Sequence, residues 1–301
     1  MKGRRAVPEY VEHAFLIGAG PAALPGVLSV PIAGEPILGC VIIPGGFQYR
    51  AGAHRQFVLL ARRLAADGYA ALRFDRAGIG DAPGERASFD AVAGEIGAAV
   101  AALRRACPSL RGVLLCGLCD GASAALLYWE QTRDPGIAGM ALLNPWARNE
   151  VLEARALVKH YYLRRLGQKD FWRKLVSGRV AGLRAARELA GNLAGAAQAT
   201  GQGAGQAGAA PWQSRMASAL REFPGALLLL LSEHDRTAHE FAEWLRSDPA
   251  LRGAGQRPGV TRREVADADH TFSSAALRAA AEQAVLDWLR CLDQTERGRA
   301  S

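Results

Sequence analysis

One segment of the chain places a thiol where a nucleophile is useful: Leu114-Leu115-Cys116-Gly117-Leu118-Cys119-Asp120-Gly121-Ala122-Ser123-Ala124. It reads as a hydrophobic strand, then G-x-C-x-G, then a helix of small residues. The G-x-S-x-G turn, in which a serine sits in a strained strand-to-helix elbow, has the same plan. Strand and helix approach closely in such a turn, so the flanking residues must be small; Gly117 and Gly121 meet that need. A cysteine that caps the helix also meets unpaired N–H groups and the positive end of the helix dipole, which favour a thiolate. Cys119 is therefore the candidate nucleophile. Cys116 and Cys119 also form a C-x-x-C, the spacing of a redox pair. In redox motifs the reactive first cysteine caps the helix, whereas here Cys116 falls on the strand and only Cys119 in the turn. Zinc would require a second ligand pair, and the sequence offers none at workable spacing.

A nucleophile of this kind needs a base, and the base needs a group that fixes its tautomer. The elbow is followed along the chain by acid and then base. The apolar run 227–231 leads into Ser232-Glu233-His234-Asp235-Arg236-Thr237, which puts Asp235 in the turn as the acid. Glu233, nearer the strand, is the alternative. The run 260–265 leads into Ala266-Asp267-Ala268-Asp269-His270-Thr271-Phe272, just before a terminal helical pattern. His270 is the candidate base. Of the other histidines, His13 and His54 precede the elbow, His160 lies mid-chain, and His234 and His239 flank the acid turn. An oxyanion needs two backbone N–H donors. One is that of Asp120, directly after the nucleophile. The other is expected in Pro44-Gly45-Gly46-Phe47-Gln48, at Phe47. No cofactor and no metal are expected.

The elements that must hold these residues can be read from apolar periodicity. Strand patterns cover residues 13–17, 27–32, 37–43, 69–74, 112–116, 137–143, 226–231 and 260–265. Helical patterns cover 54–66, 89–106, 121–130, 240–246 and 273–292. Such alternation implies a mostly parallel sheet covered on both faces. With the elbow, it predicts an α/β-hydrolase fold built from residues 1–145 and 223–301. Residues 146–222 carry no strand-like run and are expected to form a helical, lid-like insertion. It contains a stretch at about 190–210, made almost wholly of Ala, Gly, Gln and Thr, that reads as a flexible linker.

Bulk properties narrow the function classes. Of 301 residues, half are hydrophobic and 22% are charged, an ordinary globular balance. No run approaches the roughly 18–20 apolar residues that span a bilayer. Met1-Lys2-Gly3-Arg4-Arg5 begins like a signal peptide, but Glu9, Glu12 and His13 interrupt it, so the expected compartment is the cytoplasm. Five cysteines at scattered positions argue against a disulfide framework. The net charge of +8 comes with no nucleic-acid-binding motif, and reads as a solvated Arg-rich surface.

With these stretches in hand, the chain resembles a known family, the type 1 hydrolases associated with the exosortase A system. These α/β-hydrolase-like proteins are encoded alongside bacterial exopolysaccharide and PEP-CTERM sorting machinery. The resemblance rests on Gly45-Gly46-Phe47-Gln48-Tyr49-Arg50, His54-Arg55-Gln56-Phe57, Gly117-Leu118-Cys119-Asp120, Asn144-Pro145-Trp146 and Phe171-Trp172-Arg173-Lys174. It covers most of the chain from about residue 30 onward, the Ala/Gly/Gln stretch excepted. The Cys119, His270 and Asp235 set predicts an acyl hydrolase, esterase- or thioesterase-like, acting on a small-molecule or saccharide- or lipid-linked acyl substrate, and the resemblance adds the exopolysaccharide setting. An acyltransferase and a non-catalytic binding protein on a degenerate fold are the alternatives. One departure from the wider superfamily stands out: its D-x-R-G-x-G-x-S turn here reads Asp75-Arg76-Ala77-Gly78-Ile79-Gly80-Asp81-Ala82, with alanine at the usual Arg and Ser positions.

Overall fold

Residues 9–147 and 210–298 are described by the structure, a computed structural model. The insertion expected at 146–222, with its linker, falls outside them except at its two ends. The described elements run in chain order β1 (Tyr10–Ile17), β2 (Leu24–Pro31), β3 (Leu38–Ile43), α1 (Gln56–Ala66), β4 (Ala70–Phe74), α2 (Ala93–Ala106), β5 (Gly112–Leu118), α3 (Asp120–Thr132), β6 (Ile137–Leu143), α4 (Trp212–Glu222), β7 (Ala226–Ser232), α5 (Arg236–Ser247), β8 (Val260–Val265) and α6 (Ala275–Gly298).

The eight strands form one sheet in the order β1-β2-β4-β3-β5-β6-β7-β8. The pairings β1/β2 and β2/β4 are antiparallel, and every other pairing is parallel. Parallel strands need crossover helices, which cover the sheet faces, so the central strands carry apolar side chains on both sides. β3, β4 and β5 are buried at every position.

The period-two alternation of side chains sorts β3 and β5 into two faces. Leu38, Cys40, Ile42, Leu114, Cys116 and Leu118 pack in one cluster with Phe57, Leu60 and Leu64 of α1 and Val285, Leu286 and Leu289 of α6. Gly39 and Gly117 point the other way. A Cβ on Gly39 would meet Leu103 of α2, and one on Gly117 would meet Gly121 and Ala122 of α3. Helices therefore cover both faces. Fully burying one Leu, Ile or Val contributes about 1.5–3 kcal/mol. The central strands thus lie in the apolar core between two layers of helices.

The parallel strands β3 and β5 to β8 run the same way, so their carboxyl ends line one edge. Ligand sites of open α/β sheets form at that edge. The loop 44–48 follows β3, Cys119 follows β5, Asn144 follows β6, Asp235 follows β7 and His270 lies beyond β8. Among the described residues, no helix is long and apolar enough to cross a membrane.

Candidate active site

Cys119 adopts φ 58° and ψ −125°, between the end of β5 and the first residue of α3. A non-glycine residue at positive φ is strained, and such strain collects at functional sites. Hydrogen bonds hold the conformation. Cys119 N–H donates to Leu143 O at 2.9 Å, while Cys119 O accepts from Ala122, Ser123 and Trp146 N–H. The crossing leaves no room for side chains. A Cβ on Gly117 would lie 2.4 Å from the Gly121 backbone, and one on Gly121 would lie 2.5 Å from Ile43 O. The thiol is partly exposed, whereas Cys40, Cys107 and Cys116 are buried.

The acid and base expected from sequence come together. His270 Nδ1 and Asp235 Oδ2 are 2.9 Å apart. Asp235 is the N-cap of α5, and its carboxylate also accepts Thr237 N–H at 3.2 Å and Ala238 N–H at 3.1 Å. These two backbone N–H groups and the imidazole fix the orientation of the buried carboxylate at the helix N-terminus. Asp235 raises the pKa of His270 from its ordinary 6.5 to about 10; a hydrogen-bonding contribution from Cys119 comes next, and burial opposes both. At neutral pH the ring therefore holds a proton on the nucleophile's side of the site. Glu233 is engaged elsewhere: its carboxylate accepts Asp267 N–H at 2.9 Å.

Asn144 holds the assembly from behind. It is fully buried at φ 43°, a conformation asparagine tolerates better than most residues. Its Nδ2 donates to His270 O at 3.0 Å and to Ser232 Oγ at 2.9 Å, while its Oδ1 accepts Ser232 N–H at 2.8 Å. One side chain thus joins the ends of β6 and β7 to the loop that carries the base. Ser123 plays a smaller part, donating to Trp146 O.

The loop after β3 lies against the elbow. Gly45 approaches so closely that a Cβ there would lie 2.1 Å from Leu118 O. Gly46 N–H, the residue before the expected donor, points at the elbow and is taken by Asp120 Oδ1 at 2.5 Å. Phe47 N–H has no hydrogen-bond partner among the described residues, and the Phe47 side chain is 81% exposed. The altered turn after β4 keeps its shape by another route. Buried Asp75 accepts the N–H groups of Arg50 and Asp81 at 2.6 and 2.9 Å, and pairs with the Arg50 guanidinium. Arg50 also bonds Asp81 in the same turn, at 2.6 Å. Among the described residues, Glu233 and His234 of the acid turn and Asp267 of the loop after β8 bring potential ligand atoms within 4.8 Å of one another; all three are exposed.

A family model for the alpha/beta hydrolase family matches residues 40–285, from β3 into α6. The chain belongs to that family. No curated protein is a significant sequence match. Among solved structures, the chain is similar to an esterase from Pyrococcus furiosus, at TM-score 0.60 and 16% identity over 94% of this chain and 91% of that one. It is also similar to the Butyrivibrio proteoclasticus protein Est1E with bound ferulic acid, at TM-score 0.59 and 16% identity over 92% and 100%. A thermostable carboxyl esterase from Bacillus coagulans gives TM-score 0.58 and 13% identity over 94% and 98%. Likeness at such identities establishes the fold of this hydrolase and leaves its substrate to the chemistry of its own site.

Proposed function

We propose that this hydrolase cleaves acyl compounds through a cysteinyl thioester, with Cys119 as nucleophile, His270 as base and Asp235 orienting the base. The observation that carries the reading is the 2.9 Å contact of His270 Nδ1 with Asp235 Oδ2, set beside a thiol on a positive-φ elbow. In the reactive state the thiol proton has passed to His270. The Cys119 sulfur attacks the carbonyl carbon, and the N–H groups of Asp120 and Phe47 take up the oxyanion. The tetrahedral adduct collapses by expelling the leaving group, which His270 protonates. A water then attacks the thioester, His270 removes its proton, and the acid and the free thiol are released.

Sulfur restricts what can enter this cycle. The adduct expels its best leaving group, and thiolate leaves more readily than a simple alkoxide or amine. The substrates that fit are thioesters, activated esters and lactones. The resemblance of residues 45–50, 54–57, 117–120 and 144–146 to exosortase A-associated hydrolases suggests an acyl group on a saccharide or lipid-linked carrier of exopolysaccharide assembly. A panel of ester and thioester activity probes tests the reading: labelling should occur on Cys119 and vanish in Cys119→Ala. Persistent labelling of that variant would refute it.

A further inference from the structure

Gly46 is gripped from two sides by charged side chains that belong to different parts of the chain. From the elbow, Asp120 Oδ1 accepts its N–H. From the turn after β4, Arg76 Nη2 donates to its carbonyl at 3.3 Å. Arg76 is 1% exposed, and its Nε and Nη1 have no partner among the described residues. A buried guanidinium with idle donors is costly. Burial lowers the pKa of Arg76, and the charges of Asp120 and Glu95 oppose that effect. Asp120 and Glu95 are thus the carboxylates whose charges reach the buried guanidinium. That matters at this spot, because an uncompensated carboxylate next to the nucleophile would repel a developing oxyanion.

We propose that Asp120 and Arg76 are positioning residues that clamp Gly46 from both sides, so that the next N–H along the chain, that of Phe47, stays aimed at the substrate's carbonyl oxygen. The clamp explains three features together. Gly46 has φ 59°, which lets both peptide groups face charged partners. Gly45 carries no Cβ, so the loop can lie on Leu118 O. Phe47 N–H remains unengaged while its neighbours on either side are bonded: Gly46 N–H by Asp120, Gln48 N–H by Gly45 O. The role of Asp120 is thus double. Its own N–H is one oxyanion donor, and its side chain sets the other. This inference rests on the acyl-hydrolase reading above, and its test separates the two.

The experiment compares two reactions of Cys119 in the full chain. Attack on an activated thioester forms an oxyanion; alkylation by iodoacetamide does not. Asp120→Ala should lower kcat on the thioester by about 10²–10³-fold, as loss of an oxyanion donor does, while KM shifts far less. Iodoacetamide alkylation should fall by less than about fivefold. Asp120→Asn keeps a carbonyl to accept Gly46 N–H, so it should retain more activity than Asp120→Ala. Arg76→Met should lower kcat by about tenfold with a similar KM. Amide exchange at Gly46 should quicken in Asp120→Ala. Higher turnover in Asp120→Ala would overturn the clamp, because the carboxylate would then be a plug on Gly46 N–H. So would equal losses in both reactions, which would mean a damaged elbow. If the wild type leaves thioesters intact and its Cys119 is no more reactive than a free thiol, the hydrolase reading fails. Gly46 exchange in Asp120→Ala then still decides the clamp.

Discussion

His270 and Cys119 each lend themselves to a direct measurement. His270 carries a pKa raised to about 10 from 6.5, mainly through Asp235. A raised value means that the folded state binds the proton more tightly than the unfolded one. The stabilisation it brings is complete below 6.5 and is lost as pH rises through about 10. Urea unfolding followed over that window should show stability falling with pH. Asp235→Asn should flatten the fall, because it removes the leading cause. An equally steep fall in the variant would assign the effect to other groups. Cys119 gives the second test. Cys291 is the more exposed thiol, yet iodoacetamide should reach Cys119 first, since thiolate character and not exposure alone sets the rate. If Cys291 or Cys116 reacts ahead of it, the elbow confers no activation.

At the scale of elements, the strand ends hold the site together through Asn144. Asn144→Ala would leave Ser232 N–H and His270 O without their partner inside the core. The expected cost is about 1–3 kcal/mol in urea unfolding, with a loss of turnover larger than the loss of folded protein explains. Normal turnover in a destabilised variant would limit Asn144 to holding strands. Sequence pattern sufficed for β6, an apolar run, and for β8, bounded by Val260 and Val265; both end where the strands end. It stopped β5 short at Cys116, because Gly117 resembles a turn residue. In fact Gly117 pairs with Ile43 and Leu142 in the sheet; it is glycine because α3 crosses over it. The helical pattern at 54–66 concealed a left-handed pair, His54 and Arg55, before α1 begins at Gln56. The pattern at 89–106 likewise breaks at Val92 into a short 3-10 turn and α2. The candidate residues could be named from sequence because each follows a strand pattern in a fixed order. Asn144 and Arg76 were not assigned roles from sequence, since their partners lie on segments distant in the chain. Asp235, preferred over Glu233 on its place in the turn, caps α5 and meets the imidazole, whereas Glu233 accepts Asp267 N–H.

At the scale of the whole molecule, the residues flanking the undescribed segment, up to Ala147 and from residue 210, meet in the core. Trp146 and Trp212 stack there with centroids 5.1 Å apart, and Phe89 meets both edge-on. Trp146 N–H also donates to Cys119 O, so this aromatic cluster adjoins the nucleophile. Trp212→Ala should cost about 1–3 kcal/mol in thermal or urea unfolding; a neutral result would reduce the stack to a surface contact. The fold delivers three groups from three strand ends, and the central claim is that they work as one unit. The decisive measurement is steady-state turnover of an activated thioester by the wild type, Cys119→Ala, His270→Ala, Asp235→Asn and the double variant His270→Ala with Asp235→Asn. Turnover should vanish in Cys119→Ala, nearly vanish in His270→Ala, and fall by about 10²–10⁴-fold in Asp235→Asn. The double variant should be little worse than His270→Ala alone. Losses that multiply independently, or a His270→Ala variant that keeps most of its activity, would contradict the triad.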